Sequence, residues 1–463
     1  MEPIDHTNLH RTAKYFMDNG RASTHGEALA LLERFGLNIC VGEEIAHSAH
    51  HQIALLTLIN VARRTFLGGI AVIGMSDCAS LTPLAPNPRL IEAVEALGGV
   101  LVASARLDWP SALIGNAEAP EGLPAVWQVT WEGWRGGVVP AAREQRLHER
   151  EAISLAPALA AAVCAAEAFA FHSGDHPMAG KRAAGLSLWH IGADWLVADA
   201  DEPPLAYLPS RLWVVGLGNL GQAFAWLLAS LPYRDRGEVQ FVLQDFDRIA
   251  ASNDSTSLLS FLRDIGKRKA RVVADWLDAM GFETFIEERR FGPWTKRSDQ
   301  EPGVALCGVD NAQSRAALED ADFELIVEAG LGGGPQAFRS VALHTFPASR
   351  TAGDIWARQA AGAPDNFEDM PAYQALRDAG MDKCGLAQLA SRTVGIPFVG
   401  LIAACLVIAE LLRRLNGGMA LEFASGSAAS LEDFEFGRLE TPVYSHGHVA
   451  AIGVEQPDGL SGS

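Results

Sequence analysis

A strand that runs into three closely spaced glycines and then becomes an apolar helix can belong to few folds. RLWVVGLGNLGQAFAWLL, beginning at Arg211, reads that way, with Gly216, Gly218 and Gly221 in the turn. It predicts a βα unit of an open parallel sheet, because the glycines allow a tight turn and let backbone N–H groups approach phosphate at a helix N-terminus. FVLQDFD then ends the next strand in Asp245 and Asp247, acids of the type that hold ribose hydroxyls. A nucleotide is the expected ligand, and to this point NAD and ATP fit equally.

Three further segments separate the two: SND at Ser252–Asp254, DIGKRKA at Asp264–Ala270 and VDNAQSR at Val309–Arg315. None has a place in a dehydrogenase fingerprint. Read singly, each has a plain structural meaning: a tight turn, a helix cap at Asp264, and a solvated face for Lys267, Arg268, Lys269 and Arg271. In this order and spacing they resemble the adenylylating family of ubiquitin-activating enzymes and the ThiF and MoeB proteins of thiamine and molybdopterin biosynthesis. The resemblance implies that Gly216, Gly218 and Gly221 form the nucleotide turn and that Asp245, in an acidic pair with Asp247, takes the ribose of ATP. It gives Asn253 and Lys269 to the phosphates and Asp310 to Mg²⁺, with Asn311 and Arg315 completing the motif. Attack of a carboxylate on the α-phosphate builds charge on phosphoryl oxygens, which a lysine and a carboxylate-held Mg²⁺ stabilise. Thr256 and Ser257 stand where the family carries Arg-Gln. Arg263, Lys267 or an arginine from elsewhere in the chain is then needed as the phosphate clamp.

Composition narrows the partners. The chain has 463 residues, 49% of them hydrophobic, and a formal charge of -19, enough for substantial cores and unsuited to nucleic acid or an anionic membrane as the main partner. The polar start MEPIDHTNLHRTAKYF lacks the pattern of a cleaved leader, so the expected location is cytoplasmic. The six cysteines form no Cys-x-x-Cys pair, against both a disulfide framework and a thiolate zinc site. Two apolar runs, 155–171 and 396–412, approach a membrane span in length, but Glu167, Glu410, Arg413 and Arg414 make buried helices the better reading.

The same two runs mark an internal repeat. GLNICVGEEIAHSAHHQIALLTL, GGIAVIG, GGVLVASA and AVWQVTWEGW lead to the first run in the order of elements that leads to the second. The first copy has Glu43 and Glu44 after Gly42, where carboxylates would repel phosphate. The expected architecture is α/β: two tandem Rossmann-like adenylation domains of ThiF type, a degenerate one over 1–205 and an active one over 206–463. That pairing of an inactive and an active half within one chain resembles ubiquitin-type activating enzymes, and Arg11, Arg21, Arg63 and Arg64 are candidates for an arginine supplied across the internal interface. His47 and His51, with Glu43 or Glu44 a turn earlier, could share a helix face, but they lack the His-Glu-x-x-His order of a zinc site.

DKCGLAQLA sets Cys384 beside Lys383 at an expected helix start, a setting that favours thiolate. By the resemblance, this thiol takes the acyl group from the adenylate as a thioester. It lies in a crossover segment over about 347–395, which is too short for a separate cysteine domain. A hairpin is expected from LEDFEF and HVAAIGV, with QPDGLSGS as a loose end. The expected function is adenylylation of the C-terminal carboxylate of a small ubiquitin-like protein, capture on Cys384 and transfer to a conjugating enzyme, in a bacterial pathway of the kind sometimes used in antiviral defence. A sulfur-carrier adenylyltransferase and a non-catalytic nucleotide-binding scaffold are the alternatives.

Overall fold

The structure is a computed structural model that describes residues 5–84, 87–143, 145–150, 152–199, 201–356, 367–439 and 449–452. Seven strands form a first sheet: β1 (Gly36–Val41), β2 (Gly69–Ile73), β3 (Gly99–Leu101), β4 (Ser111–Ile114), β5 (Val126–Glu132), β6 (Arg135–Pro140) and β7 (Ala184–Ser187). Their spatial order is β3-β2-β1-β4-β5-β6-β7, parallel through β5 and antiparallel beyond it. After β8 (Tyr207–Pro209) the plan repeats with β9 (Arg211–Val215), β10 (Gln240–Gln244), β11 (Glu283–Glu287), β12 (Val304–Cys307), β13 (Leu325–Leu331), β14 (Ser340–Phe346), β15 (Leu421–Ser427) and β16 (Ser430–Arg438). Here the order is β11-β10-β9-β12-β13-β14-β15-β16, again parallel up to the fifth strand. Each sheet therefore has a crevice where the strand order reverses, beyond β1 and β4 in one and beyond β9 and β12 in the other.

Between the sheets lies a shared helical layer. Helices Ala49–Ala62 and Leu155–Ser173 come from the first half, and Asn219–Ser230 and Pro397–Leu415 from the second. The two apolar runs are the long members of this layer and pack on each other. Leu155–Ser173 is the one described helix long and apolar enough to cross a membrane, yet 89% of its apolar window is buried within the protein. The charges in these helices are paired: Glu167 with Arg182 at 2.6 Å, and Glu410 with Arg414 at 2.6 Å. One continuous core joins both halves.

Polar contacts across the layer end on the segment that feeds the second crevice. Arg64, 1% exposed, donates to the carbonyls of Asp254 at 2.6 Å, Leu258 at 2.7 Å and Ser260 at 3.0 Å. Asn60 Nδ2 reaches Leu258 O at 3.2 Å, and Arg63 pairs with Asp254 at 2.9 Å. Trp226 Nε1 donates to Thr57 Oγ1 at 3.0 Å.

The expected hairpin of LEDFEF with HVAAIGV does not form. LEDFEF lies in β16 and pairs with β15 through the short turn at Ala428 and Ala429, while β17 (Val449–Ala451) pairs with β8. A two-residue connection closes at a lower entropic cost than the longer one, by about 0.6 kcal/mol for each doubling of length. QPDGLSGS lies outside the described residues.

Replacing Arg64 by Met keeps the bulk but orphans three carbonyls. Chemical denaturation of Arg64→Met should show a loss of about 3 kcal/mol or more, since three hydrogen bonds to a buried charged group, each worth about 1.5–3 kcal/mol, are lost while the cost of burying that charge is relieved.

Candidate functional site

A cavity of about 1160 Å³ opens at the crevice beyond β9 and β12. Gly216, in the turn after β9, has φ +82, and a Cβ there would come within 3.0 Å of Val309 Cγ1. Gly218 caps the helix Asn219–Ser230 and faces open space, with no atom within 4 Å of where its Cβ would stand. The free N–H groups of a three-turn helix therefore look into the cavity. Gly221 does not line it: a Cβ there would sit 1.9 Å from Gly216 O, so this glycine lets the helix close on its own turn.

Asp245 and Asp247 follow β10. Asp245 is 8% exposed; its Oδ2 accepts the Leu217 N–H at 2.7 Å and its Oδ1 the Asp247 N–H at 2.7 Å. Burial raises its pKa despite Lys269 and these two bonds. It braces the glycine turn as well as lining the cavity. Lys269 opens the helix Lys269–Asp278 and donates to Asp247 Oδ2 at 2.9 Å. Burial opposes its charge, but Asp245, Asp247 and Asp310 together outweigh it and hold the ammonium above the usual lysine range. Asn253 lines the cavity from a 3₁₀ turn, where its Oδ1 accepts the Ala250 N–H at 2.9 Å.

Beyond β12, Asp310 is exposed to the cavity and Asn311 caps the short helix Ala312–Ala316, accepting the Ser314 N–H at 2.7 Å. Arg315 lines the cavity but is committed to the protein. Its Nε donates to Val309 O at 2.9 Å, its Nη2 to Ala329 O at 2.8 Å, and its guanidinium lies 4.3 Å from the Trp356 ring centre. Glu328, fully buried on β13, completes this brace, 3.4 Å from Arg315, 2.9 Å from His344 Nδ1 and 3.1 Å from Trp356 Nε1. The loop carrying Asp310 is thus held from behind.

Among the candidate clamps, Arg263 lies against Phe261 at 4.1 Å and Lys267 pairs with Asp264 at 2.8 Å, both outside the cavity. Arg21 donates to Ser173 O at 2.6 Å, and Arg63 and Arg64 hold the segment after Ser252. Arg11 differs. It lines the cavity from helix Arg11–Asp18, donates through Nη2 to Thr393 O, and its Nε has no hydrogen-bond partner among the described residues. Burial and the nearby Arg392 lower it to about 10, opposed by Asp310, so it is charged at neutral pH. Thr256 and Ser257 bond each other at 3.1 Å.

Cys384 is exposed in the first turn of helix Lys383–Ser391, with Gln388 Nε2 3.6 Å from its sulfur. It does not line the cavity, whereas Ser391, Arg392 and Thr393 at the other end of the helix do. At about 1.5 Å per residue, Cys384 stands about 10 Å from that rim along the axis. Burial raises the other thiols, Cys40 to about 11 and Cys307 to about 12, and Cys384 is the exposed one.

At the crevice of the first sheet the chain's own polar groups bond one another. Glu44 accepts the Asn116 N–H at 3.0 Å, and a Cβ on Gly42 would meet Asn116 N and Glu44 Oε2 at 2.6 Å. His51 is bonded to Ser48 at 2.8 Å and Glu149 at 3.3 Å. Arg289, Arg290, Phe291 and Asn219 also line the second cavity and were not singled out from the sequence. Asn219 stood inside the glycine turn as a signal; its Nδ2 ties that turn to Gly395 O at 2.8 Å.

Gly221→Ala should lower the thermal unfolding midpoint because its Cβ has no room beside Gly216 O. Gly218→Ala, whose Cβ meets nothing within 4 Å, should leave the midpoint close to the parent value in the same scan.

Comparison with known proteins agrees with this two-part plan. Residues 36–188 match the model of the BilD N-terminal domain and residues 208–418 that of the BilD C-terminal domain. The bacterial E1-like protein BilD of Collimonas sp. (strain OK412) is 66% identical over 454 residues, 98% of each chain. Among solved structures, E. coli MccB with MccA-N7isoASN aligns at TM-score 0.34 and 12% identity, over 51% of this chain and 66% of that one, just under two thirds of its length. E. coli MccB with ATP aligns at TM-score 0.32 and 12% identity, over 51% and 66%. On the full-length identity, the chain belongs to the BilD family of bacterial E1-like proteins.

Proposed function

We infer that this protein uses MgATP to adenylylate the C-terminal carboxylate of a small ubiquitin-like protein and then carries the acyl group on Cys384 for a conjugating enzyme. The observation that carries the reading is the convergence of Lys269, Asp310, Arg11 and the N-terminus of helix Asn219–Ser230 on one cavity. In the reaction, a carboxylate oxygen attacks the α-phosphorus, the bond to the bridging oxygen breaks, and pyrophosphate leaves. Lys269 and Arg11 offset the charge that develops on the phosphoryl oxygens, and Asp310 would hold the magnesium of the substrate. Asp247 and Asp245 keep Lys269 charged and face the ribose side. The Cys384 thiolate then attacks the acyl carbon, forming a thioester and releasing AMP.

Residues 1–205 act here as the inactive partner of 206–463. They supply Arg11 in place of the arginine missing at Thr256, and they brace the segment that carries Asn253. This arginine also weighs against the scaffold reading, which rested on that gap. The full-length relative, an E1-like protein, supports a ubiquitin-like substrate.

ATP–pyrophosphate exchange with a glycine-tailed modifier tests the reading. Arg11→Ala and Asp310→Ala should each lose about a hundredfold or more in exchange, the scale of removing one preorganised charge stabiliser. Cys384→Ala should retain exchange and lose the thiol-sensitive adduct with the modifier. Exchange that survives in Asp310→Ala would sink the assignment.

A further inference from the structure

One cation of the cavity has no role in the steps of adenylylation. Elsewhere on its wall Lys269 pairs with Asp247, Arg289 with Glu287 and Arg315 with Glu328, and Arg290 stands exposed, 5.7 Å from the Phe246 ring centre. Arg392 lines the cavity half-buried, and its guanidinium makes no ion pair and no hydrogen bond among the described residues, the acids Asp245, Asp310, Asp433 and Glu435 of the cavity wall included. Its setting is cationic. Of the charges acting on Arg11, that of Arg392 is the strongest, ahead of Asp310. Asp5 also feels Arg392, but its carboxylate already accepts the Thr7 N–H at 3.0 Å and the Thr7 hydroxyl at 2.8 Å and lies 2.9 Å from His6 Nδ1. Two guanidiniums are thus held near each other with no acid paired to either. Like charges in a partly buried site disfavour each other until an anion joins them. The segment carrying Arg392 is also pinned in place. Thr393 O accepts from Arg11 Nη2, and Gly395 O accepts from Asn219 Nδ2 at 2.8 Å, at the N-terminus of helix Asn219–Ser230. A Cβ on Gly395 would lie 3.6 Å from Thr256 Cγ2, so this segment packs against the position that lacks the arginine of the motif.

We propose that Arg392 binds the β- and γ-phosphates of ATP and, together with Arg11, takes up the charge of the departing pyrophosphate. The inference rests on the adenylylation reading for the identity of the anion. The order of charges along the cavity assigns the phosphates. The acids acting most strongly on Lys269 are Asp245, Asp247 and Asp310, whereas the cavity groups acting most strongly on Arg11 are Arg392 and Asp310. Asp310 is common to both sets, so the arginine pair lies beyond it from the ribose side, where the outer phosphates belong. As the carboxylate attacks, the bond from the α-phosphorus to the bridging oxygen breaks and its electron pair stays on pyrophosphate. Two forked guanidiniums match that multiply charged group. A tail carboxylate, with a single charge, would leave one of them uncompensated.

The test is titration calorimetry of the full chain, without modifier, against MgATP, AMP and magnesium pyrophosphate. Arg392→Gln should weaken MgATP and pyrophosphate about thirtyfold, the scale of losing hydrogen bonds to a charged partner, and leave AMP at the parent affinity. Retained AMP binding also shows that the crevice is folded. Arg392→Lys keeps the charge without the fork and should fall between the two. Unchanged MgATP affinity in Arg392→Gln overturns the proposal, and so do equal losses for MgATP and AMP. A raised KM for the modifier with MgATP affinity intact would give the arginine to the tail carboxylate and overturn it as well. Pyrophosphate exchange keeps the two readings apart. Selective loss of MgATP binding in the variant, with no exchange by the parent on any modifier, sinks adenylylation and leaves Arg392 on the phosphates. Exchange by the parent with unchanged MgATP affinity in the variant does the reverse. A parent that binds neither MgATP nor pyrophosphate overturns both.

Discussion

The helix Leu155–Ser173 has almost no polar face, so it exists only where protein covers it on every side. Helix Pro397–Leu415 has the same property, and the two cover each other between the sheets. Neither half could hold its long helix in water alone, because each apolar side chain left exposed forfeits about 1.5–3 kcal/mol. The pairing of the halves is thus a condition of folding, and it sets their sheets on opposite sides of one helical layer. From that placement follows the reach of Arg63, Arg64 and Asn60 into the segment between Asp254 and Ser260.

The same strand plan occurs twice in the chain, and its two crevices differ. Both crevices arise from the same reversal of strand order, but one contains a glycine facing open space and the other a glutamate bonded to the opposite strand end. The first half supplies part of the helical layer and the braces that cross it. What it contributes to the open crevice is support from below and the cationic side chain of Arg11 from the N-terminal helix.

Much of the open crevice was legible because its groups are local in sequence. Glycines, an acidic strand end, a lysine at a helix start and an Asp-Asn cap each announce a backbone geometry through residues adjacent in the chain. The roles within that set were less legible. Asp245 carries two backbone N–H groups and Arg315 three packing duties, because burial demands that charged groups be satisfied by protein before any ligand arrives. A motif reveals that a residue is present, and only the hydrogen-bond partners reveal how much of it is still available.

By itself the sequence determined that the chain is a doubled α/β protein with a glycine turn opening a crevice in its second half, since period, glycine spacing and charge are properties of neighbouring residues. It could not say which of four arginines enters that crevice, because each lies far along the chain from Thr256 and the choice depends on which helix faces which loop. Nor could it show that Asp433 and Glu435 border the same cavity as Gly216, or that Cys384 lies a helix length from the rim. Those relations cross strands and helices separated by long stretches of chain. They were decided by tertiary structure, through strand register and the shared apolar layer that both halves must bury.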